Sequence, residues 1–521
     1  MCMLPIRLKA CGPKPTWWED KGLDMRNTKS LLERCGRTIH LSLAATVLLF
    51  LTGLNEPRAA VGIAPLSLNV TQFGAVGNGR TLCTSAMQAA IDSCSKSGGG
   101  TVVVPPGTYV TGSLALGKGV KLYLEKGAIL LGSSNISDWS LGVLILAQDA
   151  DSVGVNGDGI IDGNGRTFWD HGSRPFVRPN GLLRFEKCTG VSIREIHLIN
   201  SPKFTVYLDG CTHVQIEGIQ IKNSLDSPNT DGVDVANSSN VLITGCYMET
   251  GDDAVCLKSS RRGSVVAHVV VRNCRLVTDD TALKLGTGSK GTISDCTFTG
   301  IEIPEATNGI GLFMKDGGAF ERIEFSDISM MSTARPLKQY FPRNGGAAYW
   351  LEVLKKREDF PIFVDSESRS PNSSVGTIRN ITFRNLEIRT SDGNCLLEGR
   401  KERSLVGITM SDIRMIVERE KSYVGRTKPR GTRTLREKSS NDYASVPSYF
   451  TFAYVEGLRL RNLVVEVSRE AGSFPMYGVW GNSVNGASVD SVKIISRHEV
   501  KGRPVIKFTR SKNVAIDGRA L

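Results

Sequence analysis

The stretch CTGVSIREIHLINS (residues 188–201) is followed, from residue 211, by CTHVQIEGIQIKNS. Each opens on Cys-Thr, sets apolar residues at alternate positions and closes on Asn-Ser, the composition of a bend. Looser copies follow: SSNVLITGCYMET (238–250), HVVVRNCRLVT (268–278), KGTISDCTFTG (290–300), FERIEFSDISM (320–330), TIRNITFRNLEIRT (377–390) and VEGLRLRNLVVEV (455–467). Short strands recurring at a period in the low twenties leave no room for a helix in each repeat. The pattern predicts an all-β chain wound as a right-handed parallel β-helix, each coil pairing with the next at about 4.8 Å and inward side chains stacking into ladders. A β-propeller needs a period near 40 or more, and leucine-rich repeats need a fixed Leu and Asn frame; neither is present.

Upstream of the repeats, Thr84 or Ser85 can cap a short amphipathic helix over residues 85–94, with Ala86, Ala90, Ile91 and Cys94 on its apolar face. A helix there would cover the open end of the coil stack. Earlier still, residues 39–54 (IHLSLAATVLLFLTGL) form an apolar run after Arg34 and Arg37 and before Ala59 and Ala60. Basic region, short apolar core and small residues are the order of a secretory signal. A spanning helix needs about 20 apolar residues, so the run reads as a signal, with an uncleaved anchor as the alternative. The expected division is an extension over residues 1–60 and one β-helix domain over 61–521. Loop insertions near 335–374 and 418–448 interrupt the rhythm.

The 521 residues include 55 Gly and carry a formal charge of +12, which favours a turn-rich, strand-rich chain and a polyanionic partner. Nucleic acid, anionic polysaccharide and anionic lipid all fit that sign. Part of the excess sits in the first forty residues and in the basic run 421–438. Twelve cysteines in an exported chain invite disulfides. However, Cys188, Cys211, Cys246, Cys274 and Cys296 recur in one local context, which predicts buried thiols in a stacked core.

Within the repeats, residues 229–259 read NTDGVDVANSSNVLITGCYMETGDDAVCLKS. A coil's worth of sequence separates Asp231 from Asp252 and Asp253. If they occupy matching positions on successive coils, their carboxylates emerge together. Any one of these acids alone would pass as a bend residue; three in phase suit glycosidic cleavage, which needs one acid to protonate the leaving oxygen and one carboxylate to activate water. Superimposing TDDTALKLG on GDDAVCLKS extends the column to Asp279 and Asp280, and sets Lys258, Lys284 and Lys315 in a second, basic column. Acids flanked by ammonium groups suit an acidic sugar chain.

The chain here resembles glycoside hydrolase family 28, the polygalacturonase family. The resemblance rests on FGAVGNG (73–79), IDGNGRTFW (161–169), Arg178-Pro179, Asn200-Ser201-Pro202, NTDG (229–232) and GDDAVCLKS (251–259). It implies the right-handed β-helix fold and single-displacement, inverting hydrolysis. It further implies Asp252 as general acid, Asp231 and Asp253 as the residues that position and deprotonate water, and Asn229, Arg178, Lys258, Asp280, Lys284 and Lys315 as substrate-binding. Two positions depart from the family pattern. Asp280, Thr281 and Ala282 stand where Gly-His-Gly is usual, and Phe313, Met314 and Lys315 stand where Arg-Ile-Lys is usual. Arg offers a carboxylate a two-pronged fork and Lys a point charge, so the substrate subsite should differ. His171 and His268 read as structural or loop residues.

The expected partner is an acidic polysaccharide or oligosaccharide, with no nucleic acid, no cofactor, no metal motif, and no stable membrane association unless the apolar segment stays uncleaved. A secreted or periplasmic monomer is expected. A polysaccharide lyase or epimerase on the same fold, or a non-catalytic polysaccharide-binding coil, is the alternative.

Overall fold

A computed structural model describes residues 66–169, 177–333, 360–370, 372–391, 394–418, 448–468, 477–496 and 505–521. The apolar run 39–54, His171, residues 335–359 of the first insertion and 419–447 of the second lie outside the described residues, whereas Phe360–Ser366 of the first insertion form a strand.

Among the described residues, strands pair with the strand one coil further on. The pairing is parallel throughout, save where Lys512–Ile516 meets Arg519–Ala520 antiparallel at the chain end. The architecture is the right-handed parallel β-helix. Helix α1 (Thr84–Lys96) buries Met87, Ala90, Ile91 and Cys94 against the first coils. The Gln88 side chain fixes it there by bonding both the N–H (2.9 Å) and the carbonyl (3.0 Å) of Ala115. Its N-cap is Cys83, which makes no side-chain cap, so the expected Thr84 or Ser85 cap is not formed. Thr84 Oγ1 instead accepts from the Gly112 N–H at 2.7 Å.

Alternation in the sequence becomes ladders in the core. Val206, Val233, Val255, Leu283, Ile310 and Ile362 stand in register on successive coils, all fully buried. Each such side chain contributes about 1.5–3 kcal/mol of burial. On another sheet Phe298, Phe325 and Phe383 stack, with centroids 4.7 and 5.4 Å apart and rings within 10° of parallel. The interval is less even than the low twenties: register partners run from Val191 to Val214, then to Val241 and Val269. Asn and Asp absorb the bends between sheets, and Asn240, Asn273, Asn385 and Asn462 all take left-handed φ near +53°. Every cysteine among the described residues is free and buried, as the stacked-thiol reading expects. Cys188 Sγ, for example, donates to the Ala147 carbonyl at 3.4 Å.

One sheet positions the site. Its strands are β1 (Gly181–Glu186), β2 (Phe204–Asp209), β3 (Val233–Ala236), β4 (Val255–Ser259), β5 (Thr281–Ser289), β6 (Asn308–Met314), β7 (Phe360–Ser366) and β8 (Cys395–Glu398).

Candidate active site

The acids sit in the bends that lead into β3 and β4, and each neighbouring motif residue has a local task. Gly232 comes so close to the next coil that a Cβ would lie 2.5 Å from the Ala254 carbonyl oxygen. At Gly251 a Cβ would lie 2.2 Å from the Ser227 oxygen. Thr230 Oγ1 accepts from the Gly251 N–H at 3.1 Å, tying the NTDG bend to the GDD bend. The Gly232 N–H donates to the Asp253 carbonyl at 2.9 Å, so Asp231 stands level with Asp253 rather than with Asp252. The Asp252 carbonyl is fixed by the Thr250 hydroxyl at 2.6 Å and by that of Thr278.

The result is a compact triad. Asp231, Asp252 and Asp253 each place a carboxylate oxygen within 4.8 Å of the other two. Asp231 and Asp253 are buried, and Asp252 is the partly exposed member, open to an incoming chain. Lys258 Nζ lies 3.2 Å from Asp231 Oδ2 and also contacts Asp234 Oδ1. Lys284 Nζ lies 2.6 Å from Asp253 Oδ2. Burial pushes the Asp253 carboxyl well above the usual carboxylate range, and the Lys284 ammonium pulls against that shift. The same neighbouring carboxylates raise Lys258 and Lys284 despite the opposing effect of burial. Among the described residues these three acids are the group close enough to share a cation. Here two ammonium groups already meet that charge.

Asp252 receives the Asn229 amide at 3.2 Å and the Asp253 N–H at 3.0 Å. Asn229 is itself held by Arg178, whose guanidinium donates to Asn229 Oδ1 (2.9 Å) and to the carbonyls of Pro202 (2.8 Å) and Pro228 (2.6 Å). Asn229 and Arg178, expected to bind substrate, form a brace behind Asp252. An Asn229→Gly protein, which keeps the left-handed φ of +54° at this bend, is expected to lose roughly tenfold or more in kcat with little change in melting midpoint, since hydrogen bonds to charged groups contribute about 1.5–3 kcal/mol. Steady-state kinetics beside thermal melts will check this.

The lysines do not form one column. Lys258 pairs with Ala236, whereas Lys284 pairs with Cys256, two residues earlier on β4, and the register shifts between Leu257 and Ser259. Lys315 is turned away into a buried network, 2.5 Å from both Asp365 Oδ2 and Glu367 Oε1. Arg400 completes that network against Asp365, Glu367 and Glu398. The acidic echo is likewise one residue out: with Val255 opposite Leu283, Asp280 stands level with Asp252 and Thr281 with Asp253. Asp280 is buried and accepts from the Thr281 hydroxyl at 3.2 Å. Phe313 lines no open subsite. It is fully buried with Phe360, Phe363 and Leu396, and Lys284 Nζ lies 5.4 Å from its ring centroid. His268 sits exposed in a left-handed bend.

Two residues that sequence reasoning did not single out belong to the site. Asp234 is one, its signal being a lone acid in an otherwise apolar strand. Lys203 is the other, with its Nζ 4.9 Å from the Phe204 ring centroid. Partial burial and the nearby Arg178 and Lys258 charges lower its proton affinity, while Asp231 acts the other way.

Fold and site together define a parallel β-helix with a carboxylate triad and paired lysines on one outer face. Residues 94–337 match the model of glycosyl hydrolases family 28. A probable polygalacturonase of Vitis vinifera is 31% identical over 284 residues, covering 48% of this chain and 58% of the relative. One from Arabidopsis thaliana is 30% identical over 279 residues, covering 47% and 60%. The chain thus spans about three fifths of the length of these curated relatives. Among solved structures, an exopolygalacturonase of Yersinia enterocolitica aligns with a TM-score of 0.58 and 17% identity, covering 88% of this chain and 79% of that one. The hyperthermoactive exopolygalacturonase of Thermotoga maritima aligns with 0.56 and 20%, covering 68% and 87%. These two show the shared fold.

Proposed function

We propose that the protein hydrolyses glycosidic bonds in a pectic, galacturonate-containing polysaccharide. The observation that carries this reading is the triad itself: three carboxylates within 4.8 Å, two of them held by lysines, inside the family-28 stretch. Asp252, the accessible member, donates its proton to the leaving glycosidic oxygen. Asp231 and Asp253, held by Lys258 and Lys284, orient a water and take its proton as the oxygen attacks the anomeric carbon. Lys203, Lys258 and Lys284 give the face the positive charge that an acidic sugar chain needs. Export is proposed from the amino-terminal signal pattern.

Inverting pairs hold their carboxyl groups about 6.5–9.5 Å apart and retaining pairs about 5–5.5 Å. The triad is tight, so inversion here rests on the family pattern, and the anomeric configuration of the first product is a measurement of its own. The test is a panel of pectic and other acidic polysaccharides, read by new reducing ends and by proton NMR of the anomer. New reducing ends from a galacturonate polymer are expected. An unsaturated, ultraviolet-absorbing product that depends on calcium would overturn hydrolysis in favour of a lyase, and binding without turnover would leave a carbohydrate-binding coil.

A further inference from the structure

Asp234 lies three residues beyond Asp231 on β3, and it is an unusual residue for its place. It is fully buried in a strand that otherwise reads Val-x-Val-Ala, and its Oδ2 has no hydrogen-bond partner among the described residues. Its Oδ1 contacts the Lys258 ammonium, which at the same time reaches Asp231 Oδ2 at 3.2 Å. The third wall around that ammonium is the Phe204 ring, with its centroid 5.0 Å from Nζ. Lysine is a point charge on a four-carbon flexible stem. A second carboxylate behind it leaves one orientation for the ammonium. Burying an acid to hold a surface pair would be a poor device for stability alone, since apolar replacements of buried ion pairs are often neutral or stabilising.

We propose that Asp234 is a positioning residue: it anchors Lys258 against Asp231 and so keeps the water-handling carboxylate oriented. The role assigned to Asp231 rests on the proposed hydrolysis.

The groups around Asp234 fit this role. On the preceding strand Tyr207 is its register partner, with the Arg184 guanidinium 4.8 Å from the Tyr207 ring centroid, and Asp209 follows two residues on. On the following strand its partner is Cys256, whose thiol is engaged by the Gly286 carbonyl at 3.1 Å, with Lys258 beyond it. Burial first, then Asp231 and Asp252, push the Asp234 carboxyl up to about 7 against the pull of Lys258. In acid solution Asp234 is therefore a neutral acceptor for the ammonium, a part that Asn can also play and Leu cannot.

Asp234→Leu and Asp234→Asn should be compared by steady-state kinetics and by nitrogen-15 NMR of the Lys258 ammonium. The Leu protein should lose tenfold or more in kcat with KM near wild type, because a small misplacement at a reacting centre can cost about 10²-fold. Its Lys258 ammonium resonance should broaden or disappear, as expected when a flexible lysine head loses its anchor. The Asn protein should keep the wild-type Lys258 resonance and most of the activity. An unchanged Lys258 resonance in the Leu protein, or Asn and Leu equally impaired, would overturn the proposal. Should the Leu protein fail to fold, Asp234→Ala serves the same comparison. The Lys258 resonance does not need turnover, so a wild-type protein that cleaves no pectic polymer would sink the proposed hydrolysis and still leave the Asp234–Lys258–Asp231 coupling open to measurement.

Discussion

Replacing Asp252 by Asn is expected to cut kcat by about 10²–10⁴-fold, the usual worth of a positioned general acid or base, while the coil stays folded. The reasoning begins with access. Of the three acids, Asp231 and Asp253 are buried and each is bound to a lysine, so neither is free to meet a leaving oxygen. Asp252 is the partly exposed one, and its side chain is aimed by the Asn229 amide and the Asp253 N–H. The carboxamide keeps the shape and can still accept the bond from the Asp253 N–H, so the melting midpoint should stay close to wild type. What it lacks is an acidic proton. Saturation kinetics on the polymer found by the panel should therefore show kcat falling and KM nearly unchanged, the signature of an interaction made only in the transition state. Full activity in the Asn protein would remove Asp252 from the mechanism and return the choice of acid to Asp253.

How much of this could be read in the chain depended on whether a feature is local. NTDG and GDD were legible because each residue acts within its own bend: Gly232 and Gly251 permit the close approach, Thr230 ties the two bends, and the acids follow at once. The β-helix was legible because alternation repeats many times, so one imperfect copy does no harm. Register was not legible. The offset between Lys258 and Lys284 follows from the pairing of Val255 with Leu283, which sets Lys284 level with Cys256, and motif similarity alone does not give that pairing. Asp234 was missed for a related reason. An acid at an outward strand position reads as solvated, and it becomes buried when side chains from neighbouring coils, Lys258 among them, close over it.

Lys315 shows the same limit with the largest consequence for stability, and it separates two accounts of one residue. Sequence superposition made it part of a substrate-binding column. In the structure it is nearly inaccessible and is shared by Asp365 on β7 and Glu367 just after that strand. Its removal leaves Asp365, Glu367 and Glu398 facing the Arg400 guanidinium, an excess of negative charge inside the protein. Breaking a buried pair by deleting one partner costs about 3–5 kcal/mol, because the remaining charge stays desolvated. Lys315→Met, which keeps the aliphatic stem, is therefore expected to lower the unfolding free energy by about that amount in denaturant titrations. Below its melting transition, KM for the polysaccharide should be close to wild type. A raised KM with undiminished stability would instead return Lys315 to the substrate and would mean that the ammonium leaves Asp365 and Glu367 when a sugar chain binds.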